Sequence, residues 1–288
     1  MKTQTIPAYA KLNLTLDILG KRDDGYHELR MVMQSVSLCD TVTVTEGGRG
    51  FHLISDGFTL PEGKKSLEQQ AAEAFFDAVD QPMPPLTVHL EKVTPAYAGL
   101  GGGSADVAAL LRCLRRQYAP EMTVEQLRAI GLTVGSDMPF CISGGTALAE
   151  GRGERLTSLP ALPDCHMVLC KPDFGIPTPF LFARADSALL HTRPDFPGMM
   201  QALAAGDLAG VAARLCNVFE ELLPEEFHEV FRIKEQLLEL GALNAAMSGS
   251  GPAVFGIFRE EAAAKDTVTA LKQRYRQTYL ANPVGKLV

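Results

Sequence analysis

No apolar run in this sequence approaches the roughly 18 residues that a membrane-spanning helix needs. The opening Met1-Lys2-Thr3-Gln4-Thr5-Ile6-Pro7 also lacks the long apolar stretch of a secretory signal. These two absences predict a soluble, cytoplasmic protein with no membrane partner. Positive charge is scarce as well: 27 Lys and Arg face 34 Asp and Glu, leaving no excess cation to neutralise a phosphate polymer. That balance argues against a nucleic-acid polymer as partner, whereas a small phosphorylated ligand needs only a few local donors. Six cysteines (Cys39, Cys113, Cys141, Cys165, Cys170 and Cys216) are dispersed, with no C-x-x-C pair and no nearby histidines at metal-ligand spacing. They read as buried thiols in a reducing compartment, and the sequence names no metal-ligand set.

The chain has 288 residues, 46% of them hydrophobic, enough for a substantial core and long for one compact domain. Two domains, or one domain with a large lobe, are expected; as two domains the chain divides into 1–158 and 159–288, with the boundary set where composition turns Gly- and Pro-containing. In the first ninety residues, period-two segments at 12–18 and 41–45 predict strands of an antiparallel sheet. The polar stretch between them, 21–27, carries a D-G turn signal. A helix is predicted over 65–79, with Leu67, Ala71, Ala74 and Phe75 inward and Glu68, Gln69 and Asp77 in water. A strand at 86–90 leads to a glycine-rich loop, and a helix follows over 104–118. A second helix is capped by Thr123 with Gln126 in a capping-box pattern and stops near Gly131. Strands at 147–149 and 167–170 follow. Helices near 178–190, 196–214 and 224–240 then precede a strand, a glycine turn, a strand and a last helix over 260–274. That pattern reads as α+β, with helices on one face of the second sheet.

The strongest local signal is Pro95-Ala96-Tyr97-Ala98-Gly99-Leu100-Gly101-Gly102-Gly103-Ser104-Ala105-Asp106. Its consecutive glycines let backbone N–H groups approach an anion without Cβ obstruction, and a following helix start favours phosphate. A flexible turn is the alternative. No Gly-Lys-Ser/Thr follows at P-loop spacing, and eight residues separate Leu90 from Gly99 where a dinucleotide-binding turn would follow its strand at once. The loop is of a third kind.

Gly99-Leu100-Gly101-Gly102-Gly103-Ser104 behind Pro95, with Ala10-Lys11-Leu12-Asn13-Leu14 near the start and Gly249-Ser250-Gly251 near the end, resembles the three motifs of the GHMP kinases. Four further segments resemble the branch acting on a cytidine diphosphate-linked alcohol: Asp24-Gly25-Tyr26-His27-Glu28-Leu29, Gly135-Ser136-Asp137-Met138-Pro139-Phe140, Ala149-Glu150-Gly151-Arg152-Gly153-Glu154, and Ile176-Pro177-Thr178-Pro179. The resemblance spans nearly the whole chain. It implies an S5-like N-terminal domain and a ferredoxin-like C-terminal domain, with ATP, Mg2+ and the small-molecule acceptor meeting in the cleft between them.

By that resemblance Asp137 is the catalytic base and Lys11 its electrostatic partner, and residues 95–105 bind ATP. Asn13, Tyr26, His27 and Phe182 bind the acceptor, the aromatics by stacking on cytosine and the imidazole at its polar edge. Taken alone, Asp137 would read as a helix N-terminal residue and Lys11 as a surface lysine. Asn13 lies two residues beyond Lys11, so on a strand both face the same way. Ser104 is expected to touch phosphate, although N-capping alone would explain its type. Ser66, Thr94, Tyr97, Ala105 and Val218 depart from the family pattern and cluster around the nucleotide pocket. A kinase for mevalonate, homoserine or a sugar is the nearest rival reading, and a catalytically silent nucleotide-binding paralogue the next. Tyr26, His27 and Phe182 weigh against the first, and the joint presence of Lys11 and Asp137 against the second.

Overall fold

The computed structural model describes residues 2–56 and 64–288. Its first half opens on two long strands, β1 (Thr3–Lys21) and β2 (His27–Glu46), paired antiparallel. The segments predicted at 12–18 and 41–45 are parts of this one hairpin. Its tip is the expected D-G turn, where Gly25 adopts φ 84° and Asp24 Oδ1 accepts the Tyr26 N–H at 3.1 Å. Next come β3 (Phe51–Ser55), α1 (Leu67–Ala78) and β4 (Leu86–Glu91). β4 pairs antiparallel with β2 but parallel with β3, so the sheet is mixed rather than wholly antiparallel. α1 lies between the two parallel strands in the chain and makes the crossover that such pairing requires.

Ser66 caps α1 by accepting the Gln69 N–H at 3.0 Å. The helix buries Ala71, Ala72, Phe75 and Phe76, and Glu68 with them, while Leu67 is exposed. This corrects the expected facing of Leu67 and Glu68. Position 68 stands three and four residues before Ala71 and Ala72 and so falls on the centre of the buried stripe.

α2 (Gly102–Tyr118) begins two residues earlier than expected, with Gly101 as its N-cap, so Ser104 lies inside the first turn rather than capping it. α3 (Val124–Val134) has the Thr123–Gln126 capping box with both bonds formed, but runs past Gly131. Gly131 is a packing point and not a stop: a Cβ there would lie 2.8 Å from Ile142 Cδ1. Ile142 belongs to α4 (Met138–Ser143), a short helix that begins directly behind Asp137. β5 (Thr146–Gly151) then pairs with β2, and β6 (Arg155–Ser158) with β5.

The second half contributes β7 (His166–Lys171), α5 (Thr178–Ala185), α6 (Phe196–Ala205), α7 (Leu208–Ala212), β8 (Cys216–Asn217), α8 (Glu229–Glu239), β9 (Asn244–Met247), β10 (Val254–Phe258), α9 (Glu261–Lys272), β11 (Gln277–Ala281) and β12 (Pro283–Val284). The helix expected over 196–214 is two helices. Gly206 turns the chain at φ 66°, and Asp207 recaps it by accepting the Gly210 N–H at 3.0 Å. α5 ends at Ala185 rather than near 190, and Asp186, just beyond it, is tied to Lys21 and His27. A 3₁₀ turn, Glu225–Phe227, precedes α8, which begins later than expected.

β11, β7, β10 and β9 form an antiparallel four-stranded sheet. Alternation along β7 sends Val168 and Cys170 into one apolar cluster with Ile233 and Leu237 of α8 and Leu271 of α9. Met167 and Leu169 enter another, with Leu12 and Leu14 of β1 and Met199 and Leu203 of α6. The expectation of helices on one face therefore holds for α8 and α9, whereas α6 and the first sheet share the opposite cluster. Two short strands of the second half also complete the first sheet: β8 runs parallel to β1 at Thr15 and Leu16, and β12 pairs with β2. Among the described residues no helix is long and apolar enough to cross a membrane.

Candidate active site

Lys11 and Asn13 project from the same face of β1 and are both buried, as period-two alternation requires. Lys11 Nζ donates to Asn13 Oδ1 at 2.7 Å and lies 3.9 Å from Asp137 Oδ2. Asp137 is the N-cap residue of α4, yet its side chain makes no capping bond; it is turned toward Lys11 instead, with its carboxyl about one-third exposed. The Gly151–Gly153 turn closes on this carboxylate, a Cβ at Gly153 reaching to 4.0 Å of Asp137 Oδ1.

The glycine-rich loop is folded against this pair by contacts that only glycine permits. Lys11 N–H donates to the Leu100 carbonyl at 2.9 Å, so strand and loop are joined directly. Gly101 adopts φ 69°, and a Cβ on it would meet Lys11 Cγ at 2.9 Å. Gly99 adopts φ 74°, and there a Cβ would fall 2.0 Å from the Ser248 carbonyl oxygen. Ser248 Oγ donates to the Gly99 carbonyl at 3.0 Å and Ala253 N–H to the Ala98 carbonyl at 3.2 Å, so the loop and the 248–251 turn form one unit. Thr178 and Ser250 hydroxyls meet at 2.8 Å, bringing the Ile176–Pro179 segment to the same turn.

The first helical bond of α2 runs from Ala105 N–H to the Gly101 carbonyl. The N–H groups of Gly102, Gly103 and Ser104 thus have no acceptor within the helix, and the N-cap glycine supplies no side chain. Oriented donors at the positive end of a 17-residue helix suit an anion. Of the other loop residues, Ala98, Leu100 and Ala105 are buried and offer only backbone, Pro95 is half-buried, and Ala96 and Tyr97 are exposed. Tyr97 adopts φ 51°, unusual for a residue with a Cβ.

The aromatic set is divided. The His27 and Phe182 rings stack at 4.7 Å between centroids, and Phe182 meets Phe219 edge-on at 5.0 Å. His27 Nε2 and Asp186 Oδ1 are 2.8 Å apart. Lys21 shares that carboxylate and, with His27, holds it below the usual carboxylate range. Tyr26 stands apart, half exposed, with the Arg152 guanidinium 4.5 Å from its ring centroid.

Two supports escaped the sequence reading. Asn217 Nδ2 donates to the Met247 and Gly249 carbonyls at 2.8 Å each while its Oδ1 accepts the Phe219 N–H, so it fixes the second glycine turn from β8. Beneath the loop, Lys92 bonds to both Asp40 and Asp106, and Asp40 Oδ1 also accepts the Val93 and Thr94 N–H groups at 2.6 Å each. Burial pushes the Asp106 carboxyl up to about 7, with Lys92 opposing the shift and Asp40 and Glu68 adding to it. Burial disfavours the Lys92 charge, but the two carboxylates outweigh it and raise that pKa as well. A lone lysine between two aspartates has no sequence signature; an Asp on the buried face of a helix was the one available cue.

Residues 66–145 match the N-terminal domain of GHMP kinases, and residues 199–277 the GHMP kinases C terminal region. With the two-domain fold and the paired glycine turns, the chain belongs to the GHMP kinases, a class of ATP-dependent small-molecule kinases. It is similar at 41% identity to the 4-diphosphocytidyl-2-C-methyl-D-erythritol kinase of Moorella thermoacetica, over 96% of this chain and 98% of that protein. At 36% identity it resembles the kinase of the same name from Clostridium acetobutylicum, over 97% and 99%. A crystal structure of 4-(cytidine 5'-diphospho)-2C-methyl-D-erythritol kinase superposes with TM-score 0.82 at 32% identity, covering 98% of this chain and 100% of that one. Homoserine kinase from Cytophaga hutchinsonii shares the fold, at TM-score 0.74 and 17% identity, over 99% and 96%. Within the class, the chain falls in the family of those diphosphocytidyl-methylerythritol kinases.

Proposed function

We propose that this enzyme transfers the γ-phosphoryl group of ATP to the 2-hydroxyl of 4-diphosphocytidyl-2-C-methyl-D-erythritol, a step in making isoprenoid precursors, in the cytoplasm. The observation that carries the reading is the Lys11–Asp137 pair at 3.9 Å beside the α2 N-terminus, in a chain whose relatives bear that kinase's name. The acceptor oxygen attacks the γ-phosphorus, its proton passes to Asp137, and the bond to the β-phosphate bridging oxygen breaks to leave ADP. Lys11, kept beside the carboxylate by Asn13, offsets negative charge developing on the entering oxygen and the transferred group. The Asp137 side chain, about one-third exposed and free of a capping role, is accessible to a hydroxyl.

Magnesium would enter with the nucleotide, neutralising phosphate charge, with Ser104 Oγ as the protein oxygen at the loop. Among the described residues no group of three or more His, Cys, Asp or Glu side chains forms a cage. That donor pattern fits an ion held mainly by phosphate and water. Phe182 offers a stacking face and the His27 imidazole an edge contact for cytosine, with Tyr26 and Arg152 the outer wall of the same subsite. An ADP-release assay on the purified protein tests the acceptor. Turnover is expected with the diphosphocytidyl compound and not with mevalonate or homoserine; preference for either of the latter would overturn the assignment.

A further inference from the structure

The His27 ring is gripped by two residues from one end of α5. Phe182 and Asp186 stand four residues apart, and Asp186 N–H donates to the Phe182 carbonyl at 3.1 Å, so the two side chains leave the same face of the last turn. The imidazole stacks on the Phe182 ring at 4.7 Å between centroids and 26° between planes, while its Nε2 lies 2.8 Å from Asp186 Oδ1. Phe219 backs Phe182 edge-on at 5.0 Å, and Lys21 Nζ donates to the other Asp186 oxygen at 2.5 Å. Stacking fixes the plane of the imidazole, and the carboxylate fixes which of its edges turns toward α5.

The carboxylate also assigns the proton. Hydrogen bonds from Lys21 and His27 hold Asp186 below the usual carboxylate range, so at neutral pH it only accepts. Nε2 therefore carries the hydrogen and Nδ1 the lone pair. Among the described residues the bond to Asp186 is the one hydrogen bond of this ring, which leaves Nδ1 without a partner in a side chain only 9% exposed. A lone pair so placed is open to a ligand N–H. Cytosine carries an exocyclic amine where uracil carries a carbonyl oxygen. The Nδ1 lone pair accepts from the first and repels the second, whereas a hydrogen on Nδ1 would reverse the preference.

We propose that Asp186 is a positioning residue that selects the cytidine over the uridine form of the acceptor by keeping the His27 lone pair on Nδ1. The inference rests on the cytidine-linked acceptor proposed above. Ring 15N NMR of the acceptor-free, full-length protein at about pH 8, above the ordinary imidazole range, reads the tautomer directly, with His27 assigned by difference from His27→Gln. The parent should show the hydrogen on Nε2, and Asp186→Ala a mixture of tautomers. Kinetics then read the consequence. Asp186→Ala should narrow the ratio of kcat/KM for the cytidine form over the uridine form at least about tenfold, the worth of one hydrogen bond. A merely structural loosening of α5 would weaken both forms alike and leave the ratio standing. Lys21→Ala, which keeps the His27 bond, should retain the parent ratio. Hydrogen on Nδ1 in the parent, a loss of selectivity as large in Lys21→Ala, or an unchanged ratio in Asp186→Ala while the parent prefers cytidine would each overturn this role for Asp186. A parent that turns over neither form, with its Nε2 tautomer intact, overturns the acceptor assignment and this role with it.

Discussion

At the scale of single residues, the chemistry depends on Lys11 and Asp137 being freed from ordinary structural tasks. Asp137 occupies a helix N-cap without capping, and Lys11 is buried beside a neutral amide rather than tied to a close carboxylate. Asp137→Asn should therefore lower kcat by roughly 10²-fold or more with ATP affinity nearly intact, and Lys11→Ala should do the same through lost charge stabilisation. Steady-state kinetics beside ATP titration checks both, and near-parent turnover in the two variants would remove the catalytic assignment. Asp106 bears on stability. Its folded-state pKa of about 7 lies above the ordinary 3.8, so the folded chain binds the proton more tightly than the unfolded one. The Asp106 contribution to stability is thus fully present below pH ~4 and is lost as pH rises through ~7. Asp106→Asn removes that loss. Relative to the parent, its melting temperature should rise between pH 4.5 and pH 7.5, by about 2–4 °C for each kcal/mol of the Asp106 contribution that the parent loses over that range. A parallel pair of melting curves against pH would contradict this role for Asp106.

At the scale of elements, the glycines of the loop have different tasks despite standing in one run. Gly99 and Gly101 adopt positive φ and are crowded by Ser248 and Lys11, whereas Gly103 has open space where a Cβ would lie. Gly99→Ala should cost about 1–3 kcal/mol of stability and weaken ATP binding, because both backbone strain and the collision with a backbone carbonyl fall on the junction between loop and second glycine turn. Gly103→Ala, within the first turn of α2, should fold at least as well as the parent, since alanine suits helical backbone better. Any rise in KM for ATP in that variant then reports the phosphate cradle and not the fold. Denaturant midpoints beside ATP titrations separate the two effects. Gly206 divides an apolar stretch into α6 and α7 because its αL turn lets Asp207 begin a new helix. The G-D pair was visible in sequence, but the long apolar pattern across it outweighed it.

At the scale of the whole molecule, the two halves share their cores. The cluster containing Leu110 and Phe140 also contains Leu237 and Phe258, and the one containing Leu12 and Leu14 also contains Met199 and Phe255. β8 and β12 add strands from the second half to the first sheet. A single cooperative thermal transition is therefore expected in calorimetry, with equal calorimetric and van't Hoff enthalpies. Two resolved transitions would show halves that unfold separately.

Features that depend on neighbours along the chain were legible before any fold was known. Lys11 and Asn13 share a face because strand period is two, the Thr123–Gln126 box starts α3, and a glycine run before an apolar helix offers free N–H groups. The motif order along the chain carried the class of enzyme. Contacts between distant segments came only with the packed fold: Asp137 turned to Lys11, Asn217 fastened to the second glycine turn, and Lys92 held between Asp40 and Asp106. Strand period and helix capping act over two to four residues and can be read locally. Ion pairing and burial depend on which surfaces the packed sheets bring together, and that is settled only when the hydrophobic core closes.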